Sequence, residues 1–191
     1  MAKKPDRPQF PTDHELLDVV DADNQVIGTA TRRQVHELGL MHRSVHVFLV
    51  DEDGRLYLQR RAAGKETFPG AHDSSAAGHV NSGEDYESCV VREVEEELGL
   101  APDHVELVDV GELPASEENG WEHVRFYLGR TTREPTPNPE EIEHGAYYTL
   151  AEVADLIDRP DTDFAPTFRI LYTLYTDSLA SMVANGEVFG R

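Results

Sequence analysis

The sequence predicts one mixed α/β domain of the α+β kind. Three observations predict it: short apolar or alternating runs bounded by turn residues, a central segment with apolar residues every fourth position, and a long C-terminal stretch of helical character. Residues 1–12 carry three prolines and read as a flexible tail, leaving 13–191 as a single domain. ELLDVV (15–20), a DADN turn and QVIGTA (25–30) predict a first hairpin. Thr31 and Gln34 have capping-box spacing and Gly39 is a stop, so a short helix lies between them. SVHVFLV (44–50), DEDG and RLYLQR (55–60) predict a second hairpin, its turn chemistry explicit. The loop AAGKETFPGAHD (62–73) follows, with Phe68-Pro69-Gly70 shaping a rim.

Ser82, with Asp85 three positions on, predicts the N-cap of the central helix, and Gly99 its end. Tyr86, Val90, Val94 and Leu98 form its apolar stripe. VELVDVGEL (105–113) and WEHVRFYLGR (121–130) read as strands. REPTPNPEEIEHG (133–145), with three prolines and four glutamates, reads as a loop. AYYTL (146–150) is a strand, AEVADLI (151–157) a short helix, and 167–186 a terminal helix ending near Gly186.

Charge narrows the function. With 37 acidic against 17 basic side chains, the formal net charge over 191 residues is −20. Such a balance excludes broad contact with a nucleic acid polymer, which needs a basic footprint. A small anionic substrate in a local basic pocket, or on metal ions, stays open, and so does adaptation to high salt. One cysteine, Cys89, rules out an internal disulfide framework. No signal peptide and no apolar run long enough for a membrane span is visible, so a cytoplasmic protein with no membrane partner is expected. Oligomeric state is unread, a homodimer being the commonest default.

The sharpest signal is GHVNSGEDYESCVVREVEEELGL (78–100), where seven of 23 residues are acidic. On a helix, Glu93, Glu96 and Glu97 share one face beside the apolar stripe, while Arg92 and Glu95 point elsewhere. Carboxylates so crowded cannot all ionise cheaply without a counter-charge. Two readings follow: a solvated acidic face, or a site for a hard divalent cation such as Mg²⁺ or Mn²⁺.

The spacing separates them. From Gly78 the pattern G-x₅-E-x₇-R-E-V-x-E-E-x-G-L is filled by Glu84, Arg92, Glu93, Val94, Glu96, Glu97, Gly99 and Leu100. It resembles the signature of the Nudix hydrolases at every defined position, a coincidence of order 10⁻⁸ per start site at background composition. The resemblance implies the Nudix fold, a mixed β-sheet sandwiched between helices. It implies metal-dependent hydrolysis of a diphosphate linkage in a nucleoside diphosphate-type substrate. Glu93, Glu96 and Glu97 would hold the metal, with the carbonyl of Gly78 as a further ligand. Arg92 would orient a box glutamate, and Glu84 would steady the loop–helix corner or bind metal loosely. The base that takes the proton of water is Glu97 or Glu96, with Glu140, Glu141 and Glu143 as rivals from a distant loop.

Upstream, RRAAGKETFPGAHDSSAAGH (60–79) resembles isopentenyl-diphosphate isomerases, which share the fold. By that resemblance Arg61 and Lys65 would hold a diphosphate. His36, His42 and His79 would correspond to histidine metal ligands, and Glu122 falls near an acidic one. Surface exposure of His36, and capping or packing by His42 and His79, is the alternative. The isomerases carry a cysteine for proton transfer where this chain has Ala77, and alanine moves no proton. They also lack most of the hydrolase glutamates. Hydrolysis is therefore the expectation, with isomerisation and a non-catalytic nucleotide-binding module as alternatives. Cys89 reads as a small packing residue. Trp121, Phe126 and Tyr127 are weighed as base-stacking groups against the ordinary core role of strand aromatics.

Overall fold

Residues 15–185 are described by a computed structural model, residues 182–185 through their backbone. The tail reading of 1–12 and the helix stop at Gly186 lie outside the described residues. The chain runs β1 (Leu16–Val20), β2 (Val26–Thr31), α1 (Arg32–Leu38), β3 (His42–Val50), β4 (Leu56–Arg61), β5 (His72–Asp73) and β6 (Ala76–His79). It continues with α2 (Tyr86–Leu98), β7 (Val105–Leu113), β8 (Glu122–Thr131), β9 (Ile142–Tyr148), α3 (Leu150–Ile157) and α4 (Pro166–Asn185). A 3₁₀ turn, Glu117–Asn119, precedes β8.

β1 and β2 form the first hairpin as a two-stranded sheet of their own. The Thr31–Gln34 capping box opens α1, and Gly39, at φ 61°, closes it. The other seven strands make one mixed sheet in which β3 and β8 run parallel and β7 returns antiparallel to β8.

The sheet has helices on both faces because β3 alternates. Val45, Val47 and Leu49 enter a core with Val90, Val94 and Leu98 of α2. Phe48 and Val50 enter the opposite core with Val153 of α3 and Phe168 and Leu171 of α4. Phe48, Phe126 and Phe168 are fully buried, each such side chain contributing about 1.5–3 kcal/mol. Among the described residues no helix is long and apolar enough to cross a membrane.

Three readings are corrected. The second hairpin is one only at its tip: β3 and β4 pair at Val50↔Leu56 and then part. β6 takes the edge of β3 from Ser44 to Val47, and β4 pairs β9. A buried Ser75 fills the opening. Its Oγ accepts from the Leu49 N–H (2.7 Å) and donates to the Tyr57 carbonyl (2.5 Å), satisfying groups that a regular ladder would have paired. The N-cap of α2 is Asp85, whose side chain accepts from the Ser88 N–H, while Ser82 Oγ donates to Asp18. Finally, the strand placed at 146–150 begins at Ile142 and ends at Tyr148, since Thr149 caps α3 with Glu152.

Candidate active site

A cleft of about 2030 Å³ opens beside α2, and its wall includes Gly78, Arg92, Glu93, Glu96 and Glu97 of the acidic segment together with Arg61 and Lys65. Glu93 and Glu97, one helical turn apart, are buried at 9% and 5% exposure; Glu96 lies further out, its side chain 49% exposed. Burial raises both inner carboxyls. Glu93 rises to about 7 although Arg92 opposes the shift, and Glu97 to about 8 with the charge of Glu93 added. Glu97 Oε2 accepts from Gln59 Nε2 (3.1 Å) and from the Ala77 N–H (3.2 Å). A β-carbon built on Gly78 would fall 2.0 Å from Glu93 Oε1, so only glycine leaves that carboxylate its place.

Arg92 does not point away as helix geometry suggested. Its guanidinium folds back to grip both oxygens of Glu84 at 2.8 Å, donates to Glu93 Oε1, and donates to the His79 carbonyl at 3.0 Å. Burial alone would raise Glu84, but Arg92 and the Asn81 N–H outweigh it and hold the group below its ordinary value. Glu84 thus steadies the corner.

Arg61 and Lys65 line the same cleft, each held by an acid. Arg61 Nη1 donates to Asp73 Oδ2 (2.9 Å) and its Nε to the Thr67 carbonyl; Lys65 pairs closely with Glu141. Glu141 is the one of the three loop acids that lines the cleft. Glu143 faces Arg60 at 3.5 Å, both largely exposed. The loop is docked by the open end of α2: the Asn138 N–H donates to the Glu97 carbonyl and the Thr136 N–H to that of Leu98. The same carbonyls that end the helix therefore set where Glu141 stands.

The histidines converge. His36 from α1, His42 from β3 and His79 from β6 bring one ring nitrogen each within 4.8 Å of the others. His42 Nδ1 lies 2.9 Å from the Leu40 carbonyl, which can only accept, so Nδ1 carries the proton and Nε2 a bare lone pair. That Nε2 is buried without a hydrogen-bond partner. Burial, then the charge of His79, pushes His42 down to about 4, so it is neutral at pH 7. Glu122 reaches His42, His46 and His79 at 3.6–3.9 Å and accepts from Ser44 Oγ at 2.8 Å. Burial would raise it, but His46, His79 and His42 hold it well below the carboxylate range. His36 Nε2 and His79 Nε2 lie 3.3 Å apart, so the capping or packing alternative leaves Nε2 of His42 unexplained. Imidazole nitrogens with a carboxylate suit a transition-metal ion, and the orphaned nitrogen of His42 fits one.

Gln59, Asp73, Ser44 and His46 were missed by sequence reasoning. Of these, Ser44 and His46 left a trace: with His42 they put polar residues at every second position at the start of an otherwise largely apolar strand. Phe126 and Tyr127 are core residues, at 0% and 4% exposure; Trp121 lines the cleft, as does Phe68 at 51% exposure. Cys89 is buried in the core beneath α2.

Fold and cleft together define a mixed-sheet α+β protein with a carboxylate and histidine cleft at a loop–helix corner. The NUDIX domain model matches residues 40–168, and the chain belongs to the NUDIX family. It is 38% identical over 147 residues to an isopentenyl-diphosphate Delta-isomerase of Streptomyces griseus, covering 73% of this chain and 74% of that one. It is 31% identical over 166 residues to an uncharacterized Nudix hydrolase of Nostoc sp., covering 86% and 98%. Among solved structures it is similar to DR0079 from Deinococcus radiodurans, with a TM-score of 0.76 and 28% identity over 84% of this chain and 99% of that one.

Proposed function

We propose that the chain is a Mg²⁺- or Mn²⁺-dependent hydrolase of a diphosphate linkage in a nucleoside diphosphate-type substrate. The observation that carries this reading is the buried Glu93–Glu97 pair, with Glu93 packed against Gly78: Arg92 reaches Glu93, whereas Glu97 has only the neutral donors Gln59 and the Ala77 N–H on its carboxylate. Glu93, Glu96, Glu97 and the Gly78 carbonyl form an all-oxygen donor set that suits a hard divalent ion. Such ions, when bound, neutralise the diphosphate and make water a usable nucleophile.

The chain's own side chains do the rest. Arg61 and Lys65 bind diphosphate oxygens, and Lys65 leaves Glu141 to do so. A water oxygen bonds to phosphorus, the bridging P–O bond breaks, and the departing phosphate keeps the electron pair. Glu97, Glu96 or Glu141 receives the proton of water, since all three line the cleft.

Isomerisation of isopentenyl diphosphate is the second reading, favoured by the Streptomyces relative and by the three histidines beside Glu122. Against it stands Ala77 on the cleft wall, with no proton to give. Mass-spectrometric product analysis with Mg²⁺ and a panel of diphosphates, isopentenyl diphosphate included, decides between them. Cleaved products that disappear in Glu97→Gln or Glu96→Gln, with the fold intact, support hydrolysis. Conversion of isopentenyl diphosphate to its isomer, with the rest of the panel untouched, overturns it.

A further inference from the structure

Trp121 is the only tryptophan of the chain and stands on the cleft wall, one residue before Glu122. Its backbone is left-handed, at φ 65°, directly after Gly120 at φ 73°. A bulky residue there costs on the order of 1–3 kcal/mol, and it persists because both peptide groups are tied down. The Trp121 N–H donates to the Ser116 carbonyl at 2.7 Å, and its carbonyl accepts from the His42 N–H at 3.1 Å. The pyrrole part of the indole rests on Gly39, where a β-carbon would come within 3.1 Å of Nε1. A bare α-carbon therefore seats the ring, and the scaffold holds a strained aromatic in the cleft where glycine would fit without cost.

The surroundings say which part of a ligand belongs there. Glu117 and Glu118, both exposed, line the cleft on the 3₁₀ turn just before Trp121. Carboxylates repel phosphate, so the stretch of wall beside Glu117 and Glu118 does not suit the diphosphate, whose cationic partners Arg61 and Lys65 lie on another loop. They would also be poorly matched to an alkyl chain, which leaves their oxygens unpaired. They accept hydrogen bonds from the exocyclic amino groups of adenine, cytosine or guanine, whereas uracil presents a carbonyl oxygen at the equivalent place.

We infer that Trp121 is the stacking platform for the nucleobase of the substrate and that Glu117 and Glu118 select bases carrying an exocyclic amino group. This deepens the hydrolase reading and rests on it.

Because the indole is the sole tryptophan, its fluorescence reports stacking directly. The full-length protein, with Ca²⁺ in place of Mg²⁺ to slow turnover, is titrated with ADP, CDP, UDP and inorganic diphosphate while calorimetry measures affinity. ADP and CDP should quench the emission and bind about 10- to 100-fold more tightly than inorganic diphosphate. UDP should fall between them. Trp121→Leu should remove that advantage and leave inorganic diphosphate unchanged, and Trp121→Phe should restore part of it. Glu117→Gln with Glu118→Gln should narrow the gap between CDP and UDP. If nucleotides bind no better than inorganic diphosphate and the emission does not move, the platform is overturned while the diphosphate site stands. If CDP and UDP bind alike in the wild type, the selection by Glu117 and Glu118 is overturned. If nothing binds, the hydrolase reading falls and the platform falls with it.

Discussion

The carboxylate of Glu93 occupies the space that a side chain at residue 78 would need: a β-carbon on Gly78 would lie 2.0 Å from Oε1 and 2.1 Å from Cδ. Backbone and carboxylate touch there because α2 crosses β6 at the one position with no side chain. Gly78→Ala should therefore push Glu93 out of place while the rest of the helix stays packed. We expect divalent-ion affinity to fall at least about tenfold by calorimetry, with a thermal midpoint within a few degrees of wild type. Unchanged affinity would mean that the carboxylate relaxes into an equivalent position.

Glu93 and Glu97 should make metal-free protein less stable as pH rises from about 4.5 to about 8, and His42 opposes that trend only below about 6.5. Glu93 and Glu97 have folded pKa values above their unfolded ones, so their contribution is present at low pH and is lost as pH rises through about 7 and 8. His42 has a folded value of about 4, below its unfolded one, so its contribution is lost as pH falls from about 6.5 towards 4. Between pH 6.5 and 8 only the two acids act, and metal-free protein should lose roughly 3–5 °C in thermal midpoint. Adding Mg²⁺ at pH 8 should recover it, and Glu97→Gln should flatten the slope. Scanning calorimetry with and without chelator reads both.

The bare Nε2 of His42 makes the histidine cluster separable from the box. His42→Phe keeps a flat buried ring and removes the lone pair. Co²⁺ affinity, followed by its visible absorption, should drop about 10- to 100-fold in His42→Phe and in His36→Ala. Glu97→Gln should leave that absorption in place. A spectrum indifferent to both histidine changes would show that the three rings only pack.

Ser75 is a structural wedge. Ser75→Ala leaves the buried Leu49 N–H and Tyr57 carbonyl without their side-chain partner, which should cost about 2–3 kcal/mol. Urea unfolding should show a lower midpoint with an unchanged slope. Ser75→Cys, with a weaker donor and acceptor, should fall in between.

Local chemistry carried much of the fold. The Thr31–Gln34 box, the glycine stops at Gly39 and Gly99 and the four-residue stripe of α2 are set by neighbours three and four positions apart, so they were legible without a structure. The second hairpin misled for a physical reason. An Asp-Gly turn fixes only the residues around it, and what pairs with the rest of β3 is decided by β6, whose AAGH carries no strand propensity to announce it.

By itself the sequence determined the composition of the site: a complete Nudix box, Arg61 and Lys65 ahead of it, and alanine where an isomerase cysteine would stand. Only the tertiary structure decided how these residues are placed. It buried Glu93 and Glu97 but left Glu96 out, and it turned Arg92 back onto Glu84. It chose Glu141 from three loop acids, gathered His36, His42 and His79 from three elements, and put Trp121 rather than Phe126 or Tyr127 on the cleft. The reason is range. Spacing along a helix or strand fixes which side chains share a face, whereas burial, charge and lone pairs depend on segments tens of residues away that only packing brings together.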